Sequence, residues 1–196
     1  RDRGSGNIKC FTEFDNCPIA LNSSAPIPPA VRAVALDLNQ ARLAIRHLPD
    51  RPGVAAKLFG LLAEENISVD MIIQSQRCRN IDGILTRDIA FTVAQMDAEA
   101  AQTALEKAAH ELGWGEVAVD TEIAKVSVVG SGMIAHPGVA AKMFEALSLH
   151  KINIQMIATS EIKISCVVDE EQGVIALKAI HTAFELAGTE KIQVPA

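Results

Sequence analysis

Apolar residues fall at helical spacing twice in this chain, and each time in the same company. Val54, Leu58, Leu61 and Leu62 stand at i, i+4, i+7 and i+8, which predicts an amphipathic helix, and Val139, Met143, Ala146 and Leu147 repeat the pattern. A β-rich run precedes each helix, ARLAIRH from Ala41 and AKVSVV from Ala124, and predicts a strand. After each helix the period changes to two: ISVDMII from Ile67 and INIQMI from Ile152 alternate and are rich in β-branched residues. A further strand is predicted from Asp88 (DIAFTV) in the first copy and from Ile162 (IKISCVV) in the second. In the first copy a polar stretch from Gln76 to Thr86, to which no element is assigned, separates the two strands; in the second it is almost absent. A second helix then follows in each, with Ala101, Ala104, Leu105, Ala108 and Leu112 on one stripe and Leu177, Ile180, His181 and Phe184 on the other. Short strands, VAV from Val117 and IQV from Ile192, are predicted to close the two units.

The two patterns are one unit used twice. PGVAAK occurs at Pro52 to Lys57 and again at Pro137 to Lys142, and the same shift lays NISVDMIIQS (Asn66 to Ser75) over KINIQMIATS (Lys151 to Ser160). Upstream, VALD from Val34 matches VAVD from Val117, with two residues fewer in the shift. An internal repeat of this kind decides the fold class. The order βαββαβ, twice, predicts an α+β protein of two ferredoxin-like units, each an antiparallel four-stranded sheet with two helices on one face. The first unit is placed at residues 31–116 and the second at 117–196, after a linker or arm at 1–30 marked by Gly4, Gly6, Ser23, Ser24, Pro26, Pro28 and Pro29. The helix-free face of each sheet needs a cover, which the other unit or a second chain can supply. Because the chain opens on Arg1, it is read as a piece of something longer.

Composition narrows the function. With 49% apolar residues in 196, two small cores can be built. A net charge of −6 and only 4% aromatics, without Tyr, argue against nucleic-acid or anionic-membrane partners. No apolar run approaches the ~20 residues of a membrane span, and a cytosolic or plastid-stromal location is expected. Cys10, Cys17, Cys78 and Cys166 form no CxxC pair, and no two of the five histidines stand at metal-ligand spacing, so neither a metal nor a catalytic residue is assigned. Gly130 to Ala135, GSGMIA, fits a dinucleotide fingerprint. It is rejected because Pro137 falls where the helix of that motif already runs and no acid ends the next strand.

The chemistry that remains is that of holding a small zwitterion. In the loop Pro49-Asp50-Arg51-Pro52-Gly53, the first helical N–H groups can take a carboxylate, Gly53 allows close backbone approach, and Asp50 can accept from an ammonium. By strict alternation the strand residues facing away from the helices are Ser68, Asp70, Ile72 and Gln74, and Asn153, Gln155, Ile157 and Thr159. A turn and helix start, with Pro52 where no N–H is needed, and a solvated sheet face explain the same residues without any ligand. The recurrence of loop and face in both copies favours the ligand reading.

DLNQARLAIRHLPDRPGVAAKLFGLLAEENISVDMIIQ and KVSVVGSGMIAHPGVAAKMFEALSLHKINIQMIATSEIKISCVV together resemble the paired ACT domains at the carboxyl end of aspartokinases, over about residues 31–196. The resemblance implies a regulatory, not a catalytic, role: lysine, threonine or both bind between ACT units and hold an attached aspartate kinase under feedback control. It implies homodimerisation through ACT domains, and a kinase domain elsewhere that uses ATP with magnesium. It places the effector pockets at Asp50, Arg51, Pro52, Gly53, Val54, Ala55, Ser68, Asp70 and Gln74 from the first unit, and at Val139, Ala140, Asn153, Ile154, Ser160 and Glu161 from the second. It also implies strand exchange, with the strand at residues 31–38 completing the second unit. Two positions depart from the family: Ser75 to Arg79 is unusually basic, and Gln155 stands where the first copy has Asp70. A free-standing regulatory subunit, or an ACT pair serving another metabolic or transcriptional regulator, remains open at this level.

Overall fold

The computed structural model describes residues 30–186, apart from 132, 134 and 135. Seven strands and four helices follow in the order β1 (Ala33–Pro49), α1 (Val54–Glu64), β2 (Val69–Gln74), β3 (Arg79–Ile81), β4 (Ile84–Ala94), α2 (Ala98–Leu112), β5 (Val117–Val129), α3 (Val139–Leu149), β6 (Met156–Thr159), β7 (Lys163–Asp169) and α4 (Gly173–Ala183). The strands form one antiparallel sheet, β2-β4-β1-β5-β7-β6, with β3 paired to β4. The ferredoxin-like α+β pair read from the sequence is present.

The centre of the sheet is a pair of long strands that serve both units. Gln40 to Ile45 of β1 pair with β4 on one side and with β5 on the other, while Ala33 to Asp37 pair with Val129 to Lys125 of β5. Likewise Val117 to Asp120 of β5 close the first unit, and Ile123 to Val129 pair with β7 in the second. Ala33 to Asp37 thus occupy the edge of the second unit; IQV at Ile192 lies outside the described residues. Irregularities near Asp37 to Arg42 insert one extra residue in each strand, so the core-facing phase changes from Val34 and Leu36 to Ala41, Leu43 and Ile45. Because β1 and β5 are corresponding segments of the repeat lying antiparallel, a local two-fold relates the units.

Each unit has its own helix-side core. In the first, Leu58 and Leu62 of α1 and Ala101 and Leu105 of α2 cover Leu43, Ile45, Ile89, Phe91 and Val93; in the second, Met143, Leu147, Ala176 and Ile180 cover Ala124, Val126, Val128, Cys166 and Val168. Burial pushes the Cys166 thiol up to about 12, so it stays protonated and inert at neutral pH. The stripe on α4 is Gly173, Ala176, Ala179 and Ile180, with Leu177 only half-buried, a shift from the sequence reading. Gly173 allows that closeness, since a Cβ there would lie 2.7 Å from the Ala124 methyl. The helix ends repeat as well. Asn66 and Lys151 are both left-handed, and Ile67 and Ile152 donate their N–H groups back to Leu62 and Leu147, which caps α1 and α3.

The helix-free faces meet each other. Met71 of β2 and Met156 of β6, from opposite edges of the sheet, are buried with Ile123 and Val167, and Ile73, Ala90 and Ala158 pack around them. The sheet therefore curls until its edge strands approach. Lys125 fixes this closure: only 12% exposed, it reaches Asp37 at 3.2 Å and Asp70 of the other unit at 2.8 Å. Lys163 stands 3.8 Å from Asp70. On the two-fold-related side Arg42 pairs with Asp120 at 2.7 Å.

One element was missed. The stretch Gln76 to Thr86 is not loop throughout but a hairpin of β3 and the start of β4, turned at Asp82 (φ 50°) and Gly83 (φ 83°). Asp-Gly with both residues left-handed is the favoured two-residue hairpin turn. Its flanking polar residues obscured the signal.

Two outcomes follow from this packing. Gly173→Ala is expected to destabilise the chain by about 1–3 kcal/mol through overpacking against Ala124, measured by urea unfolding. For Asp70, the hydrogen bond from Lys125 comes first among the causes that hold its carboxyl below the ordinary 3.8. A depressed folded pKa stabilises the fold above the unfolded value, and the gain is lost as pH falls through the folded one. The urea midpoints of the parent and Asp70→Asn should therefore differ at neutral pH and converge below about pH 3.8. A difference that persists in acid contradicts the inter-unit ion pair.

Candidate functional site

The loop before α1 is shaped by backbone before any side chain acts. β1 bulges between Ile45 and Leu48, where His47 turns left-handed (φ 59°) and donates its N–H to Asp88. That bulge swings the strand end so that Asp50 N–H bonds the Leu85 carbonyl at 2.7 Å. Gly53 at the helix start has φ 90°, a conformation costly for any other residue, and among the described residues nothing beyond its own stretch of chain lies within 4 Å of where its Cβ would be. No side chain caps α1; the Val54 N–H turns back to the Arg51 carbonyl at 3.4 Å, and the N–H groups that follow it are left without a side-chain cap. Gly138 repeats the glycine helix start before α3, with φ 99°, no side-chain cap and the same open space. Each unit therefore offers an uncapped helix start with a partial positive charge.

Asp50 is not a free acceptor. Its carboxylate accepts a hydrogen bond from Arg87 Nε at 2.7 Å, an interaction that raises the guanidinium pKa above its ordinary value. Arg87 also reaches the carbonyls of Ser75 and Gln76 at 3.5 Å, which ties the loop to the end of β2. Arg87 was not among the residues singled out from sequence, and only its place opposite the loop in the folded sheet reveals it. Arg51, Pro52 and Ala55 are exposed beside this ion pair, while Val54 is buried in the core.

The strict alternation read from the sequence fails in both strands. Between Val69 and Ile72, β2 carries one more residue than the β4 segment opposite, so the phase slips. Asp70, Met71 and Ile73 face the other unit, whereas Ile72 and Gln74 pair with Phe91 and Ile89 and lie on the helix side at the sheet edge. In β6, Met156 and Ala158 turn to the other unit, and Ile157 and Thr159 pair with Cys166 and Ile164 on the helix side. The slip buries Met71 and Met156 between the facing halves of the sheet, where polar residues had been placed.

A single pocket does not gather all the sequence-derived residues of one unit. Ser68 and Gln74 are six residues apart on an extended chain, about 20 Å, so they belong to opposite ends of β2. The strand edges sort them instead. Asp70 lies by Lys163, beyond the end of β6, while Ile73 shares a cleft with Gln155 and Met156, so β2 and β6 run antiparallel across the interface. The Gln74 end of β2, beside Asp50 to Ala55, is thereby directed toward Asn153 and Ile154. The Ser68 end is directed toward Ser160 and Glu161, and the loop before Val139 and Ala140 adjoins that hairpin through the Gly130 to Ile162 hydrogen bond. The result is two poles related by the local two-fold, each mixing residues of both units.

No helix among the described residues is long and apolar enough to cross a membrane, and no group of three His, Cys, Asp or Glu converges among them.

Comparison with known proteins gives this geometry a family. Residues 42–110 and 126–184 each match the ACT domain family. Aspartate kinase of Pseudomonas fluorescens is 49% identical over 81% of this chain, and the matched part is 37% of that protein's length. The chain thus spans little more than a third of such relatives. Among solved structures, aspartate kinase from Synechocystis superposes with a TM-score of 0.78 at 62% identity, over 86% of this chain and 29% of that one. Aspartokinase III of E. coli, solved in complex with lysine and aspartate, gives 0.62 at 27% identity over 85% of this chain and 35% of that one. The ligand-free regulatory subunit of aspartate kinase from Thermus thermophilus gives 0.72 at 46% identity, and there the match covers 79% of this chain and 99% of the other. This chain belongs to the aspartokinase family, as its regulatory pair of ACT domains.

Proposed function

We propose that this chain senses lysine, threonine or both, and transmits their binding to an aspartate kinase catalytic region. The observation that carries the reading is the pair of uncapped, glycine-opened helix starts, each set beside strand ends from both units. An amino acid's carboxylate fits the free N–H groups and its body the glycine gap; side-chain oxygens of Gln74 or Asn153 at one pole, and of Ser68, Ser160 or Glu161 at the other, can accept from its ammonium. Asp50, held by Arg87, positions the first loop and accepts from the ligand only through its other lone pairs. Arg51, Pro52, Val54 and Ala55, with Val139, Ala140 and Ile154, supply backbone and apolar walls. Asp70 acts through its Lys125 pair, setting how the units close around the poles.

Binding across units selects one inter-unit arrangement, and a coupling of about 1–3 kcal/mol changes kinase activity or substrate affinity several-fold to about a hundredfold. The reading assigns ATP and its magnesium to the catalytic region that the relatives carry beyond the matched segment. It places the chain in the cytosol or stroma, as a homodimer through its ACT domains. The lysine complex of E. coli aspartokinase III and the separate regulatory subunit of the Thermus enzyme support both ligand and role.

Calorimetric titration of the 196-residue chain with lysine and with threonine, using alanine and leucine as controls, tests it. Selective, saturable binding of one or both is expected, with a change in dimerisation on gel filtration. Gly53→Val should weaken binding about tenfold or more by straining the loop and filling the gap, while circular dichroism shows the chain folded. Binding of neither amino acid, or an unchanged affinity in the variant, overturns the site.

A further inference from the structure

The repeat supplies a control for what the outer faces of the helices carry. It sets Leu149 of α3 on Glu64 of α1, and Val174 and Ile175 of α4 on Glu99 and Ala100 of α2. In the first unit these positions are exposed and either charged or small, as a solvated helix face requires. In the second unit they are apolar and still in the open: Leu149 is 76% exposed, Ile175 50% and Val174 48%. Large apolar side chains grouped in the open on one copy alone mark a face that something covers.

Between them, α3 and α4 leave a groove of about 480 Å³. Ala146, Ala179 and Ala183 give it depth, Leu149 and Ile175 stand at one end, and Lys142 and Lys178 edge it against one acid, Glu145. Neither lysine has a carboxylate partner among the described residues. The matching groove of the first unit is edged instead by Glu65 and Glu99. A second copy presenting the same face would set lysines against lysines, so the groove suits an occupant that is apolar and acidic.

The chain carries such a segment. Cys10 to Leu21 holds Phe11, Phe14, Ile19 and Leu21 with two acids, Glu13 and Asp15, and no Lys or Arg. It belongs to residues 1–29, outside the described residues, which join the fold at Ala30. That junction is pinned: the Arg32 N–H bonds the Val129 carbonyl at 2.8 Å, and a Cβ at Gly130 would overlap the Ala30 carbonyl. The start of α4 lies over Leu36 and Leu38 of β1, and its end packs in one cluster with Ala30 and Val31. Lys142 stands 5.3 Å from the Phe184 ring, which brings the first turn of α3 to the same place. The chain therefore enters beside the Lys142 and Ala183 end of the groove. Residues 22–29 can span up to about 28 Å, against about 10 Å of helix from Lys142 to Leu149.

We propose that residues 10–21 dock in the α3–α4 groove of their own chain. Phe11 and Phe14 cover Leu149 and Ile175, and Glu13 and Asp15 meet Lys142 and Lys178. The groove lies on the helix side of the second unit, apart from the helix-start poles, and the inference does not depend on the effector reading of those poles.

Amide hydrogen exchange of the 196-residue chain, read on peptides from residues 10–21, tests it. Exchange about tenfold or more slower than in an unstructured peptide of that sequence is expected, at every protein concentration. Leu149→Glu with Val174→Glu, which gives this face the acids that the first unit carries, should remove the protection while circular dichroism shows the chain folded. Met96→Glu, at an exposed residue of the first unit's groove, should leave it intact. Phe11→Ser with Phe14→Ser, which touches none of the described fold, should remove it as well. Absence of protection in the parent, protection that survives either double variant, or protection equally lost in Met96→Glu overturns the proposal. Protection that falls on dilution assigns the cover to a second copy and overturns it too.

Discussion

Everything in this structure hangs on the pairing of β1 with β5. Each of these strands is longer than one unit needs, and each gives one half to its own unit and the other half to its neighbour. Neither unit can therefore complete its sheet alone: the edge of the first is Val117 to Asp120 and the edge of the second is Ala33 to Asp37. Sharing of this kind does more than link two domains. It fixes their relative angle, because strands hydrogen-bonded along more than ten residues twist together. The twist brings the helix-free faces over one another and sets β2 against β6.

Once the faces meet, the interface selects its chemistry. Met71, Met156, Ile123 and Val167 exclude water at its centre, and charges are left to be satisfied around them. Lys125 is satisfied by acids from both halves, so it reports directly on whether the units are closed. The two poles proposed to hold an amino acid lie at the ends of this interface. A ligand bound there would touch residues of both units, and binding would then be felt as a change in how the units sit.

Much of this could be read in the sequence because repetition supplied its own control. The stripe Val54, Leu58, Leu62 and its copy Val139, Met143, Leu147 fixed helix phase, and Gly53 and Gly138 marked the helix starts. What escaped had physical reasons. The bulge at Asp70 and Met71 leaves no mark in a two-residue period, yet it turns Ile72 and Gln74 to the other face. The β3 hairpin carried its Asp82-Gly83 signal inside a polar stretch. Arg87 drew no notice because its partner Asp50 is 37 residues away, and only the sheet register brings them together. The sorting of site residues into two poles needed the curl of the sheet, a property of the assembled strands and not of any one segment.

Amide hydrogen exchange on the chain, with and without saturating lysine or threonine, tests the central claim most directly. If the ligand bridges the units, protection should rise together at the α1 start from Gly53 and at Asn153 to Ile154 across the interface, or at the α3 start from Gly138 together with Ser68. Protection confined to a single unit, or no change at either helix start, would contradict it.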